Sequence, residues 1–134
     1  MKTSEASLKQ ALVKEMRKQM RGVVVFRHED RHIFGVPDIS CTWGGVTSWW
    51  EVKVADPAVK ITDIQVLTCQ KLAKAGSACG IIIYQEMPHC SYIVDPFKIE
   101  TWATTNPEDL RIFKGFPHPR LVHYIKGVHN AVGS

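Results

Sequence analysis

The sequence lacks any apolar run long enough to span a membrane, and its N-terminus is charged and amphipathic rather than signal-like. The cytoplasm is therefore the default compartment. Repeats and low-complexity linkers are also missing, so 134 residues read as a single domain, long enough for a real core. Cysteine is scarce. Cys41, Cys69, Cys79 and Cys90 show no C-x-x-C spacing, and His89 with Cys90 and the later histidines fits no standard structural zinc site. Apolar strand and helix patterns around three of them suggest buried, reduced thiols. Neither sign of charge dominates: 17 basic against 13 acidic residues leave a net +4. That balance favours a polyanionic partner only mildly. Placement is more informative, since Lys9, Lys14, Arg17, Lys18 and Arg21 stud one predicted helix, and Arg111, Lys114, Arg120 and Lys126 gather near the C-terminus.

What is present centres on Gly35 to Lys53. Gly44-Gly45 is a two-residue hairpin signal, because glycine adopts the positive φ that primed turns require. Folding two strands about it pairs Trp43 with Val46 and Cys41 with Ser48, and sets Asp38 opposite Glu51. Strand alternation then puts Glu51 and Lys53 on one face and Trp50, Val52 and Val54 on the other. Directly opposed carboxylates repel at a Cβ separation of roughly 5 Å. They need a proton, solvent or a cation, and a hard divalent ion such as Mg²⁺ answers that need with one or two carboxylates plus substrate phosphates. Lys53, on the same face, can counter the charge or reach a phosphate. A solvated hairpin face is the plainer reading of Glu-x-Lys alone; the preceding Pro37-Asp38 at the opposing distance favours a site for phosphoryl chemistry.

The rest of the chain supplies a scaffold. Residues 4 to 21 read as an amphipathic helix, with Leu8, Leu12, Met16 and Met20 on one stripe, Ser4 or Thr3 as cap and Gly22 as stop. The apolar run Val23–Phe26 predicts a strand buried on both faces, and residues 27–32 a polar link flanking the site. Thr62-x-x-Gln65 is a capping box opening a helix to Ala75, closed by Gly76. Gly80–Tyr84 then predicts a central strand parallel to the Glu51 strand. After a turn at Met87-Pro88, Ser91–Val94 predicts another strand. Asp95-Pro96 predicts a helix through Trp102, and Asn106–Asp109 a further helix start with Leu110, Ile112 and Phe113 to pack. Leu121–Ile125 reads as a final strand or helix.

These motifs resemble a family. Pro37-Asp38 followed by Glu51-Val52-Lys53 is similar to the signature of the PD-(D/E)XK nucleases. The wider set, Ser4-Glu5, Gly35–Ile39, Glu51–Lys53, Thr62–Gln65 and Gly76, resembles their VRR-NUC branch, the virus-type replication and repair nucleases. The resemblance covers about residues 4 to 95. It implies an α/β fold: a mixed central sheet flanked by helices, restriction-endonuclease-like, with residues 96–134 as a C-terminal helical extension. It further implies Mg²⁺ or Mn²⁺ held by Asp38, Glu51 and the backbone carbonyl of Val52. Glu5 joins the metal site in the family, and Glu15 is the alternative; each also reads as an ordinary helix residue, Glu5 as a cap favoured by the helix dipole. Lys53 and Gln65 complete the implied catalytic set, although capping alone accounts for Gln65.

The expected activity is metal-dependent hydrolysis of DNA phosphodiesters. By resemblance to small stand-alone VRR-NUC proteins, the substrate is branched DNA such as a four-way junction, cut by a homodimer in a bacterial or virus-infected cell. The alternatives are a restriction-type endonuclease, for which a short chain leaves little room to read base edges, and a binding module of the same fold without catalysis. Phe113–Pro117 with Trp102 and Tyr124 is the expected dimer surface, or else a C-terminal cap on the core.

Overall fold

Gly44 and Gly45 turn with φ of 61° and 78°, the left-handed values of a primed turn. The flanking strands β2 (Ile39–Trp43) and β3 (Val46–Ala55) take the expected register, Trp43 against Val46, Cys41 against Ser48 and Ile39 against Trp50. This computed structural model describes residues 4–29, 35–55, 58–86, 89–101, 111–114 and 118–133.

Around the hairpin runs a six-stranded sheet in the order β1-β2-β3-β4-β5-β6. It adds β1 (Val24–Arg27), β4 (Ala78–Gln85), β5 (Cys90–Val94) and β6 (Arg111–Lys114). All neighbours are antiparallel except β3 and β4, which α2 (Asp63–Lys74) joins as a parallel crossover. Strand alternation divides the long strand β3 between two cores. Trp50 and Val52 pack with Leu8, Leu12, Val13 and Met16 of α1 (Glu5–Gln19) and with Leu121, Val122 and Ile125 of α3 (His118–Gly133). Ala55 packs on the other side with Cys69 of α2, Ile81, Ile83 and Val94. Each fully buried Leu or Met contributes about 1.5–3 kcal/mol, so the four-residue stripe of α1 is a principal anchor.

The helix starts match the capping signals. Ser4 accepts from Ser7 N at the head of α1, and Thr62 and Gln65 close both halves of the capping box on α2. Other expectations change. β1 forms the sheet edge instead of a doubly buried strand, with only Val25 buried and Phe26 59% exposed: among the described residues no strand pairs on its outer side, so apolar composition there does not produce burial. Asp95 caps a turn through Phe97 N at 2.8 Å, but only a short 3-10 helix, Ile99–Thr101, follows. Ile112 and Phe113 lie in strand β6 on the edge of β5, where the ladder overrides the helix-start pattern before them. Among the described residues of the C-terminal extension, the α-helix is α3. The expectations for residues 30–32, 87–88, 102, 106–110 and 115–117 fall outside the described residues. Among those described, no helix is long and apolar enough to cross a membrane, and all four cysteines are free.

A buried polar network ties α3 to the hairpin. His129 Nδ1 lies 3.0 Å from the Trp43 carbonyl and Nε2 lies 2.8 Å from Ser48 Oγ, which also accepts from Trp50 Nε1 at 2.8 Å. A carbonyl only accepts, so Nδ1 carries the hydrogen and Nε2 accepts the Ser48 hydroxyl. The Trp50 ring is thereby held over its cross-strand partner Gly80, where an added Cβ would stand 2.6 Å from Trp50 Cζ3. Gly80→Ala should therefore lower stability by about 1–3 kcal/mol through overpacking. Urea unfolding followed by Trp fluorescence measures this, and an unchanged midpoint would mean that the ring is free to move.

Candidate metal site

Asp38 lies one residue before β2, where the ladder that pairs Ile39 with Trp50 carries it opposite Glu51. Three contacts fix it. Its carbonyl accepts from His28 N at 2.8 Å, its Oδ2 accepts from Val52 N at 2.8 Å, and its Oδ1 faces Lys9 Nζ at 3.6 Å. The carboxylate thus stands in for a backbone acceptor at the end of the ladder and is aimed at β3. Lys9 is the one member of this group that the sequence pattern does not single out. It sits beside buried Leu8 at the edge of the α1 stripe, a position that on sequence alone reads as one more basic surface residue.

Glu51 is fully buried, and Lys53, two residues along the same face, is 8% exposed. Lys53 Nζ lies 3.8 Å from Glu51 Oε1, an ion-pair distance too long for a hydrogen bond. Among the described residues, both Glu51 oxygens are without a hydrogen-bond partner. Burial pushes the Glu51 carboxyl up to about 9, the adjacent Asp38 carboxyl pushes the same way, and Lys53 only partly opposes them. An unpartnered carboxyl in such a place costs stability unless something compensates it.

The donor set fits a hard cation. Two facing carboxylates, one with both oxygens unused, match the one or two that hold Mg²⁺ or Mn²⁺ in company with water and phosphate. Among the described residues, no group of three or more His, Cys, Asp or Glu side chains is gathered for a metal. Glu5, half-buried in the first turn of α1, is therefore not brought into one cluster with Asp38 and Glu51, and Glu15 is instead within 3.0 Å of Gln19 Nε2. Gln65 turns its side-chain oxygen to Thr62 N at 3.0 Å, the capping role. Val52 keeps its side chain in the core and gives its amide to Asp38.

This mixed sheet with its crossover helix and C-terminal helix is a nuclease-like α/β fold. No family model matches the sequence, and no curated protein matches it. Among solved structures, the chain is similar to the 1.6 Å structure of Hjc from Archaeoglobus fulgidus, a Holliday junction resolvase from an archaeal hyperthermophile. The likeness has a TM-score of 0.55 at 14% identity and covers 96% of this chain and 97% of that one. The likeness is one of fold: the six-stranded mixed sheet, its crossover helix and the C-terminal helix.

Glu51 titrates near 4.5 when unfolded and near 9 in the fold. Between those values the folded state holds the extra proton, so its contribution is complete below about pH 4.5 and is lost as pH rises towards 9. With a chelator present, the thermal midpoint should fall from pH 5 to pH 8.5 more steeply in the native protein than in Glu51→Gln. Parallel pH curves for the two would show that Glu51 is ionised in the metal-free fold.

Proposed function

We propose that the protein is a metal-dependent endonuclease that hydrolyses DNA phosphodiesters, of the VRR-NUC kind within the PD-(D/E)XK nucleases. One observation carries this reading: the two unpartnered oxygens of buried Glu51, facing Asp38 beside Lys53. A sheet that only needed stability would not bury that group uncompensated.

Asp38, Glu51 and the Val52 carbonyl would hold Mg²⁺ or Mn²⁺, with Glu5 adding negative charge from the first turn of α1. Such an ion, when bound, lowers the pKa of water and neutralises charge on a phosphate under attack. Asp38 is pre-aimed by the Val52 amide, so its direction costs no reorganisation at the moment of reaction. Lys53 Nζ, held against Glu51, orients the attacking water or binds a phosphate oxygen. Lys9 balances Asp38 in the resting site and offers a second cation to the phosphate backbone. Gln65 assists by holding the start of α2 over the same face.

Branched DNA is the substrate we favour, because a resolvase of four-way junctions shares the fold over nearly its whole length. Incubating the pure protein with plasmid, duplex and four-way junction, with and without Mg²⁺, tests the reaction. Asp38→Ala, Glu51→Ala and Lys53→Ala should each reduce cleavage by at least about 100-fold while the fold persists. Cleavage by Glu51→Ala at the native rate would remove the site assignment, and binding without cleavage by the native protein would favour a non-catalytic module.

Paired incision of a junction needs two sites in fixed relation, so we also propose a homodimer. Phe113 and Tyr124, of the expected surface, meet edge-on at 6.3 Å and line a cavity of about 540 Å³ with Gln19, Pro119, Arg120 and His123. Light scattering at micromolar concentration should give about twice the 15.1 kDa chain mass; the single-chain mass would rule the dimer out.

A further inference from the structure

The sheet face that carries Glu51 and Lys53 is only partly covered. α2 packs against β4, whereas towards β1 the same face ends in exposed apolar groups. Phe26, Ser40 and Trp49 are direct cross-strand neighbours and so share one face, and Trp49 precedes Glu51 by two residues on it. Val24, two residues before Phe26, is 48% exposed and Phe26 is 59% exposed. Sheet edges are normally blunted with charge or bulges, because bare apolar edges invite association. Here charge is present only where Arg27 pairs with Glu29 at the end of β1, and the face beside it carries an exposed aromatic ring.

Three rings form a row. Ser40 is small and buried between Phe26 and Trp49, which leaves room for the His28 ring to lean in and hydrogen-bond Ser40 Oγ at 2.7 Å. His28 stacks on Trp49 with centroids 5.4 Å apart and planes at 28°, and Phe26 lies 6.3 Å from His28. The Ser40 bond fixes the middle ring, so the row is ordered in advance. Asp38 accepts from the His28 backbone, which ties the row directly to the carboxylate pair. From Phe26 to Trp49 is two strand spacings, roughly 10 Å.

We propose that Phe26, His28 and Trp49 are a stacking platform for two or three unpaired bases of the DNA strand whose phosphate lies at Asp38, Glu51 and Lys53. The proposal rests on the nuclease reading and adds what part of the substrate is recognised. A base offers a π-face and its phosphate a negative charge; aromatic rings followed along one face by Lys53 match both in order. A continuous duplex keeps its bases stacked inside and presents only backbone to a flat surface, so the rings have nothing to stack on. Unpaired nucleotides beside the cut, as at a branch point or bulge, supply the missing partner.

The test is fluorescence anisotropy with a chelator present, so that cleavage does not enter. The probes are a labelled single strand of about 20 nucleotides, longer than one binding site of this kind, the matching duplex, and that duplex with an unpaired bulge. Phe26→Ala should weaken binding of the single strand and the bulge by about tenfold, the size of one base stack, and the duplex by less than about twofold. Phe26→Tyr should restore affinity, and Phe26→Leu, apolar but without a π-face, should not. Equal losses on all three probes, no loss on any, or full affinity in Phe26→Leu would overturn the platform. A change in mass by light scattering in Phe26→Ala, without a change in affinity, would assign the ring to contact between copies and likewise overturn it. Each of these leaves the nuclease reading intact if the native protein still cuts DNA in Mg²⁺ and Glu51→Ala does not. Failure of the native protein to bind any probe or cut any DNA would instead overturn both.

Discussion

The hydrogen-bond register between β2 and β3 is the constraint on which the rest depends. Strand side chains alternate, so a slip of one residue would send Glu51 and Lys53 into the core built by α1 and α3 and turn Trp50 and Val52 towards α2. The register is set at both ends of the hairpin. At the turn, two glycines at positive φ allow the tight connection. At the far end, Asp38 takes the Val52 amide with its side chain and closes the ladder where the backbone pairing stops. A residue that would bind a metal is thus also the last fastening of the hairpin.

The same strand pairing explains how the site keeps a carboxyl buried. Among the described residues, Glu51 is buried without a hydrogen bond, beside another carboxyl, and Lys53 at 3.8 Å offsets it only in part. Left to relax, such a side chain would swing to solvent. It is held because its own strand is central, paired on both sides by β2 and β4, and its flanking residues Trp50 and Val52 are locked in the opposite core. The packing of one sheet face therefore supports a buried, desolvated carboxyl on the other, a division of labour typical of functional sites. The His129–Ser48–Trp50 network reinforces it by fastening α3 to the same strand.

The two halves of the site face differ in what covers them. Over β4, α2 excludes solvent and creates the low-dielectric setting that raises the Glu51 carboxyl. Over β1 and β2, Val24 and Phe26 are exposed beside the His28 and Trp49 rings. The fold thereby joins a dry carboxylate pocket to a wet aromatic strip on a single surface.

Local rules in the sequence were enough for the hairpin register, the α1 stripe, the α2 capping box and the parallel return strand. Each follows from short-range chemistry: positive φ at Gly44-Gly45, spacing of four from Leu8 to Met16, and Thr62 paired with Gln65. The opposition of Asp38 and Glu51 followed from the register alone. Tertiary structure decided what depends on neighbours distant in the chain. Val23–Phe26 looks like a core strand, but its place at the sheet edge leaves Phe26 exposed. Ile112 and Phe113 follow a helix signal, yet the open edge of β5 draws them into a strand. Lys9 comes to Asp38, and His129 to Ser48, across 29 and 81 residues of chain. No local pattern encodes those meetings; they exist only once α1 and α3 have packed on the sheet.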